Sequence, residues 1–157
     1  RASGMALIAA EMPLEDFHYV ADMVVRVSRG TDPEYTVYRG CSQGTENGVG
    51  LLKRLNIQEA VEILIDSFPT ATRGKERANR MALLASFGAN ANPFLPRLNA
   101  ALEKFNPDPD AEKSAGFTKD IPLHKHIIEE LIQTIENATD PPKKMISLEE
   151  AIAAGAK

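Results

Sequence analysis

Apolar residues recur three and four positions apart along most of this chain, and proline or glycine interrupts them every 10 to 18 residues or so. A segment with that period carries one apolar stripe and buries it as a helix, so the pattern points to an all-α fold. The first segment opens at Pro13 with Glu15 and Asp16 in its first turn. It places Leu14, Phe17, Ala21, Val24 and Val25 on one face and closes on Arg26, Arg29 and Gly30. A second helix is expected from Ile57 to Phe68, with Ile57, Val61, Leu64, Ile65 and Phe68 inward. Asn56 stands as its N-cap, Glu59 completes a capping-box-like pair, and Pro69 ends it. A third runs from Arg73 to Phe87 with Met81, Leu84 and Ala85 inward and Gly88 as the stop. A fourth begins between Pro93 and Pro96 and carries Leu98, Leu102 and Phe105. Pro122 opens a long helix to Ala138 with Ile128, Leu131, Ile132 and Ile135 inward, broken by Asp140-Pro141-Pro142. Ser147-Leu148-Glu149-Glu150 reads as the capping box of a short terminal helix.

Two stretches stand apart from this regularity. Residues 106–120, rich in proline, acid and small residues, form the longest connection and the expected flexible loop. Residues 34–39 are ambiguous: Tyr35, Thr36, Val37 and Tyr38 favour a strand, yet Asp32-Pro33 and Gly40 frame a short helix equally well.

At 157 residues the chain can bury roughly 68–70% of its unfolded surface and needs no covalent staples. Its net charge of −4 offers no basic excess to neutralise phosphates, which argues against a nucleic-acid partner. No apolar run reaches the ~18–20 residues of a membrane span. The single cysteine, Cys41, allows neither an internal disulfide nor a multi-cysteine metal site, and it leaves the compartment open. The first residues, Arg1 to Ala10, are too weakly apolar for a signal peptide. With no methionine at position 1, the chain is expected to be a piece of a longer protein.

Two helix pairs resemble each other. Leu51-Leu52-Lys53-Arg54-Leu55-Asn56 aligns with Leu83-Leu84-Ala85-Ser86-Phe87-Gly88 at an offset of 32. Val61, Ile65 and Phe68 align with Leu98, Leu102 and Phe105 at 37. The later copy therefore has a turn five residues longer between its helices. Helix-turn-helix units at such a period mark an α-solenoid, in which each unit buries its face against the next.

Met81 to Leu102, with paired leucines, then Gly88, then alanines and Pro93 before an L-x-x-x-L helix, resembles a HEAT-type repeat. Residues 48–68 resemble it less closely, since Asn56 stands where the glycine would be. The resemblance implies three to four stacked antiparallel helical hairpins over a single domain, residues 1–157. It also implies a scaffold or binding role, with protein or the rest of its own chain as partner; the residues themselves offer no metal-binding pattern, and no cofactor or metal is expected.

Gly40-Cys41-Ser42-Gln43-Gly44 spells the G-x-S-x-G of a nucleophile elbow, which makes Ser42 the catalytic candidate of a serine hydrolase. An elbow needs a buried parallel strand before the serine, a helix after it, and an oxyanion hole with an acid and a histidine elsewhere. The local half is available; the sheet is not evident in so helical a chain. The plainer reading is a glycine-flanked connector. It feeds a helix in which Gly48 and Gly50 permit close approach of a neighbour.

The other candidates are weaker in pattern. Tyr35, Tyr38 and Arg39 would line the mouth of a small helical ligand-binding domain. Arg73, Lys75 and Arg77, in the basic run to Arg80, oppose the dipole of the helix they start and so suit an acidic partner. His126, Glu129 and Glu130 share a polar face but supply too few ligands for a metal. His124 falls on the apolar face of the same helix. His18 and Asp22 form an i,i+4 surface pair, and Cys41 beside Arg39 reads as a plain small residue.

Overall fold

The computed structural model describes residues 11–30, 43–67, 74–104 and 125–155. These residues are mostly helical and contain no strand. The α-helices are α1 (Ala21–Arg29), α2 (Gln43–Arg54), α3 (Glu59–Ser67), α4 (Gly74–Ala85), α5 (Leu95–Lys104), α6 (Lys125–Glu136) and α7 (Leu148–Gly155). Two 3-10 helices, Leu14–Tyr19 and Gly88–Phe94, complete the set. The all-α class is as expected. The ambiguous stretch 34–39 and the loop 106–120 lie outside the described residues. The chain forms two compact units, Arg1–Ile63 with Lys143–Lys157, and Leu64–Pro142.

In the first unit, α1 packs against α2. The contact is made possible by Gly48. A Cβ there would collide with Ser28 Oγ and lie 3.2 Å from Ser28 Cβ and 3.3 Å from the Val24 carbonyl. Ser28 is fully buried at this crossing and satisfies its hydroxyl by donating to Val24 O at 2.7 Å. Around it Val24, Val27, Val49, Leu51 and Leu52 form the core. Gly50, expected to serve the same purpose as Gly48, does not: a Cβ there would meet nothing within 4 Å.

The segment expected as one helix from Pro13 to Gly30 is two. Leu14–Tyr19 is a 3-10 helix, Val20 breaks it at φ −122 and ψ −2, and α1 follows. The Glu15 carbonyl is engaged by the His18 ring nitrogen Nδ1 at 2.7 Å. Gly155, the last residue of α7, lies against that carbonyl and ring. A helix more than a hundred residues further along the chain thus packs on this turn. Gly30 does end α1, in the left-handed conformation at φ 68.

Asn56 is not an N-cap. It closes α2 with φ 56. Its N–H donates to Lys53 O at 2.9 Å, and that of Ile57 reaches back to Leu52 O at 2.8 Å. This is the two-bond Schellman ending, with Ile57 and Leu52 both fully buried. Glu59 is released from the expected capping pair. Its Oε1 instead accepts the N–H of Leu148, 2.9 Å away at the start of α7. The Ser147 capping box forms as expected: Ser147 Oγ accepts the Glu150 N–H at 3.1 Å, and Glu150 Oε2 accepts the Ser147 N–H at 2.8 Å.

In the second unit, α6 packs against α4, α5 and the 3-10 helix Gly88–Phe94. Ile128, Leu131, Ile132 and Ile135 are all buried, as their spacing predicts, and Leu84, Phe87, Ala89, Ala91 and Leu98 are buried with them. The five extra residues of the later helix pair appear as the 3-10 helix, which carries Pro93. Gly88 begins it at φ 53, with the Asp140 carboxylate so close that a Cβ would sit 2.5 Å from its nearer oxygen.

Two contrasts test these assignments by chemical denaturation. Gly48→Ala is expected to cost ~1–3 kcal/mol by overpacking, while Gly50→Ala, filling open space in the same helix, gains ~0.5–1 kcal/mol. Gly88→Ala is expected to lose about 1–2 kcal/mol from the left-handed backbone alone and more from Asp140, whereas Asn56→Gly stays within about 0.5 kcal/mol of the parent.

Candidate interaction surface

Ser42, Tyr35, Tyr38, Arg39 and Arg73 lie outside the described residues, as do Cys41 and His124. What is described is the helix that follows Ser42, α2, which begins at Gln43. Lys75 lies in the first turn of α4, and Arg77, half-buried, lies in the same helix.

The basic run of α4 has a use inside the fold. Arg80 donates through Nη1 to the carbonyl of Ser67 at 2.8 Å. Ser67 is the last residue of α3, so a cation meets the negative end of that helix dipole and satisfies one of its orphan carbonyls. A charge that opposes the dipole of its own helix thereby complements that of another. At the same end of α3, Asp66 pairs with Arg97 of α5, whose Nη2 stands 2.7 and 2.6 Å from the two carboxylate oxygens. Both side chains are well exposed, which limits what the pair adds to stability. In the first unit, burial lowers the pKa of the Lys53 ammonium on α2 from its ordinary value.

The expected His18–Asp22 pair does not form. Asp22 pairs with Arg26 at 3.1 Å along α1, and His18 faces Glu15 and Tyr19. On α6, His126, Glu129 and Glu130 are exposed, and Glu129 stands 4.0 Å from Lys125. Among the described residues no three acidic, histidine or cysteine side chains gather in a way that could hold a metal ion. No helix among them is long and apolar enough to cross a membrane.

Two large apolar side chains face solvent in the first unit: Tyr19, 78% exposed, and Ile152, 38% exposed. Tyr19 ends the 3-10 helix on which α7, carrying Ile152, packs. Its ring lies 3.8 Å from that of His18, tilted by 41°. Sequence periodicity overlooks both residues because it searches for inward stripes. Their signal is negative: Tyr19 falls off the Phe17–Ala21–Val24 stripe, and Ile152 follows the buried Ala151.

No family model, no curated protein and no solved structure matches the chain.

Removing Arg80 should expose its structural role. Arg80→Met is expected to lower stability by about 1 kcal/mol through the uncapped Ser67 carbonyl. Arg97→Ala should cost only ~0.2–1 kcal/mol, an effect that shrinks in high salt. Urea titrations at two ionic strengths separate the two.

Proposed function

We propose that the chain is a non-catalytic helical-repeat module of the HEAT-like kind, acting by binding protein or the rest of its own chain. The observation that carries this reading is a left-handed backbone at two positions that the repeat aligns. Asn56 and Gly88 both take the left-handed conformation, at φ 56 and φ 53. Of the residues that align around them, Leu52 and Leu84, Leu55 and Phe87, and Val61 and Leu98 are buried in both copies, while Leu83 and Leu102 are half-buried where Leu51 and Ile65 are buried. Asparagine is the residue that best replaces glycine at such a position, so the mismatch in the motif is conservative in backbone terms. Repeats of this kind expose surface for partners while each buries one face against its neighbours. Tyr19 and Ile152 are the apolar residues most available to a partner.

A second reading, a serine hydrolase, rests on Ser42 immediately preceding a helix, the local half of an elbow. One pair of measurements decides between them. The module reading expects a saturable complex with a purified partner, weakened about tenfold or more in Tyr19→Ser/Ile152→Ser at unchanged melting temperature. It also expects no reaction with a fluorophosphonate probe. Labelling that disappears in Ser42→Ala, with no such partner, would replace it with the hydrolase. A ligand-binding domain built on Tyr35, Tyr38 and Arg39 would instead raise the melting temperature with a metabolite.

A further inference from the structure

Of the asparagines in the chain, Asn137 alone has a hydroxyl residue two places on, in Asn137-Ala138-Thr139. With a residue other than proline between them, this is the acceptor pattern for N-linked glycosylation. Three letters match by chance often, so the fold around them decides whether the site is usable. The helix α6 ends at Glu136. The N–H of Asn137 still reaches Gln133 O at 3.0 Å, and that of Ala138 tightens onto Ile135 O at 3.1 Å. Ala138 and Thr139 then belong to neither helix nor strand, and Pro141-Pro142 keeps the helix from resuming. Side chains two apart do not face each other on a helix, whereas on extended backbone they share a side. Past the end of α6 the Thr139 hydroxyl can therefore approach the Asn137 amide. Glu136, Asn137, Thr139 and Asp140 are exposed, and Ala138 is half-buried. The buried stripe of α6 is Ile128, Leu131, Ile132 and Ile135. Two residues beyond Ile135, Asn137 is turned about 200° from that stripe. The Asp140 carboxylate lies over Gly88, which ties the stretch down within the second unit. A bulky polar group on Asn137 thus enters solvent and displaces no core residue.

We propose that Asn137 is an N-glycosylation site, with an oligosaccharide carried on a polyprenyl diphosphate as the donor. The amide nitrogen of Asn137 attacks the anomeric carbon of the sugar. A C–N bond forms, the bond from that carbon to the diphosphate oxygen breaks, and the lipid diphosphate leaves with the electron pair. One amide proton passes to the transferase. Thr139 is a positioning residue: its hydroxyl engages the Asn137 amide, and serine can take its place. The transfer belongs to the secretory route, a location that a lone cysteine leaves open. The assignment goes beyond the repeat reading and does not depend on it.

The test uses the full chain purified from the cells that make it, and the same chain secreted by a eukaryotic host. In both, the tryptic peptide His126–Lys143 is expected to carry the glycan. Peptide N-glycosidase is expected to convert Asn137 to aspartate and to restore the gel mobility of the bare chain. In the secreted chain, Asn137→Gln and Thr139→Ala should each lose the glycan while keeping the parent's helical circular dichroism, and Thr139→Ser should retain it. An unmodified Asn137 in folded protein from either source would overturn the proposal, as would a glycan that survives Asn137→Gln.

Discussion

The left-handed turn at Asn56 is the constraint on which the first unit depends. By ending α2 with two reversed hydrogen bonds, it swings Ile57 into the core and leaves the Asn56 carbonyl and Gln58 N–H pointing sideways. Buried peptide groups must find partners. These two find them in Ile146, ninety residues or so further along the sequence. One residue's φ therefore closes a long loop of chain. The start of α3 one turn later places Glu59 where it caps α7, and α7 in turn sets Gly155 against Glu15 and His18 of the 3-10 helix.

Several residues that look chemical in the sequence are consumed by this kind of internal accounting. Ser28 satisfies its own buried hydroxyl, Arg80 caps a helix that is not its own, and Glu59 serves a distant N-terminus. Polar side chains near helix ends are what a short-helix protein needs most, because each helix leaves four donors and four acceptors unpaired. A fold of many short helices therefore draws its charged and hydroxylic residues toward capping. Among the described residues of the first unit, the large apolar side chains left outward are Tyr19 and Ile152.

Much of the fold was legible. The stripes of α3 and α6, the Gly30 stop and the Ser147 capping box each follow from local rules with one outcome. The misreadings share a cause. Asn56 can cap a helix at either end, and only the alignment with Gly88 hinted which. The run from Pro13 to Gly30 carried helix signals throughout, yet the contact of Gly155 with Glu15 and His18 accompanies a 3-10 turn there. Gly50 resembled Gly48, but facing direction within a helix is decided by the neighbour, not by the residue. For the candidate sites little was legible, since Tyr19 and Ile152 bear no pattern beyond departing from one.

The sequence by itself determined the all-α class, the inward faces of α3 and α6 and the Ser147 capping box, because these depend on period and on near neighbours along the chain. Tertiary structure alone decided that the last helix closes on the first turn, that Arg80 answers to α3, and that Glu59 answers to α7. Those pairings join residues tens of positions apart, and a carboxylate or guanidinium fits any free amide or carbonyl within reach. Reach is set by packing, which no local rule encodes.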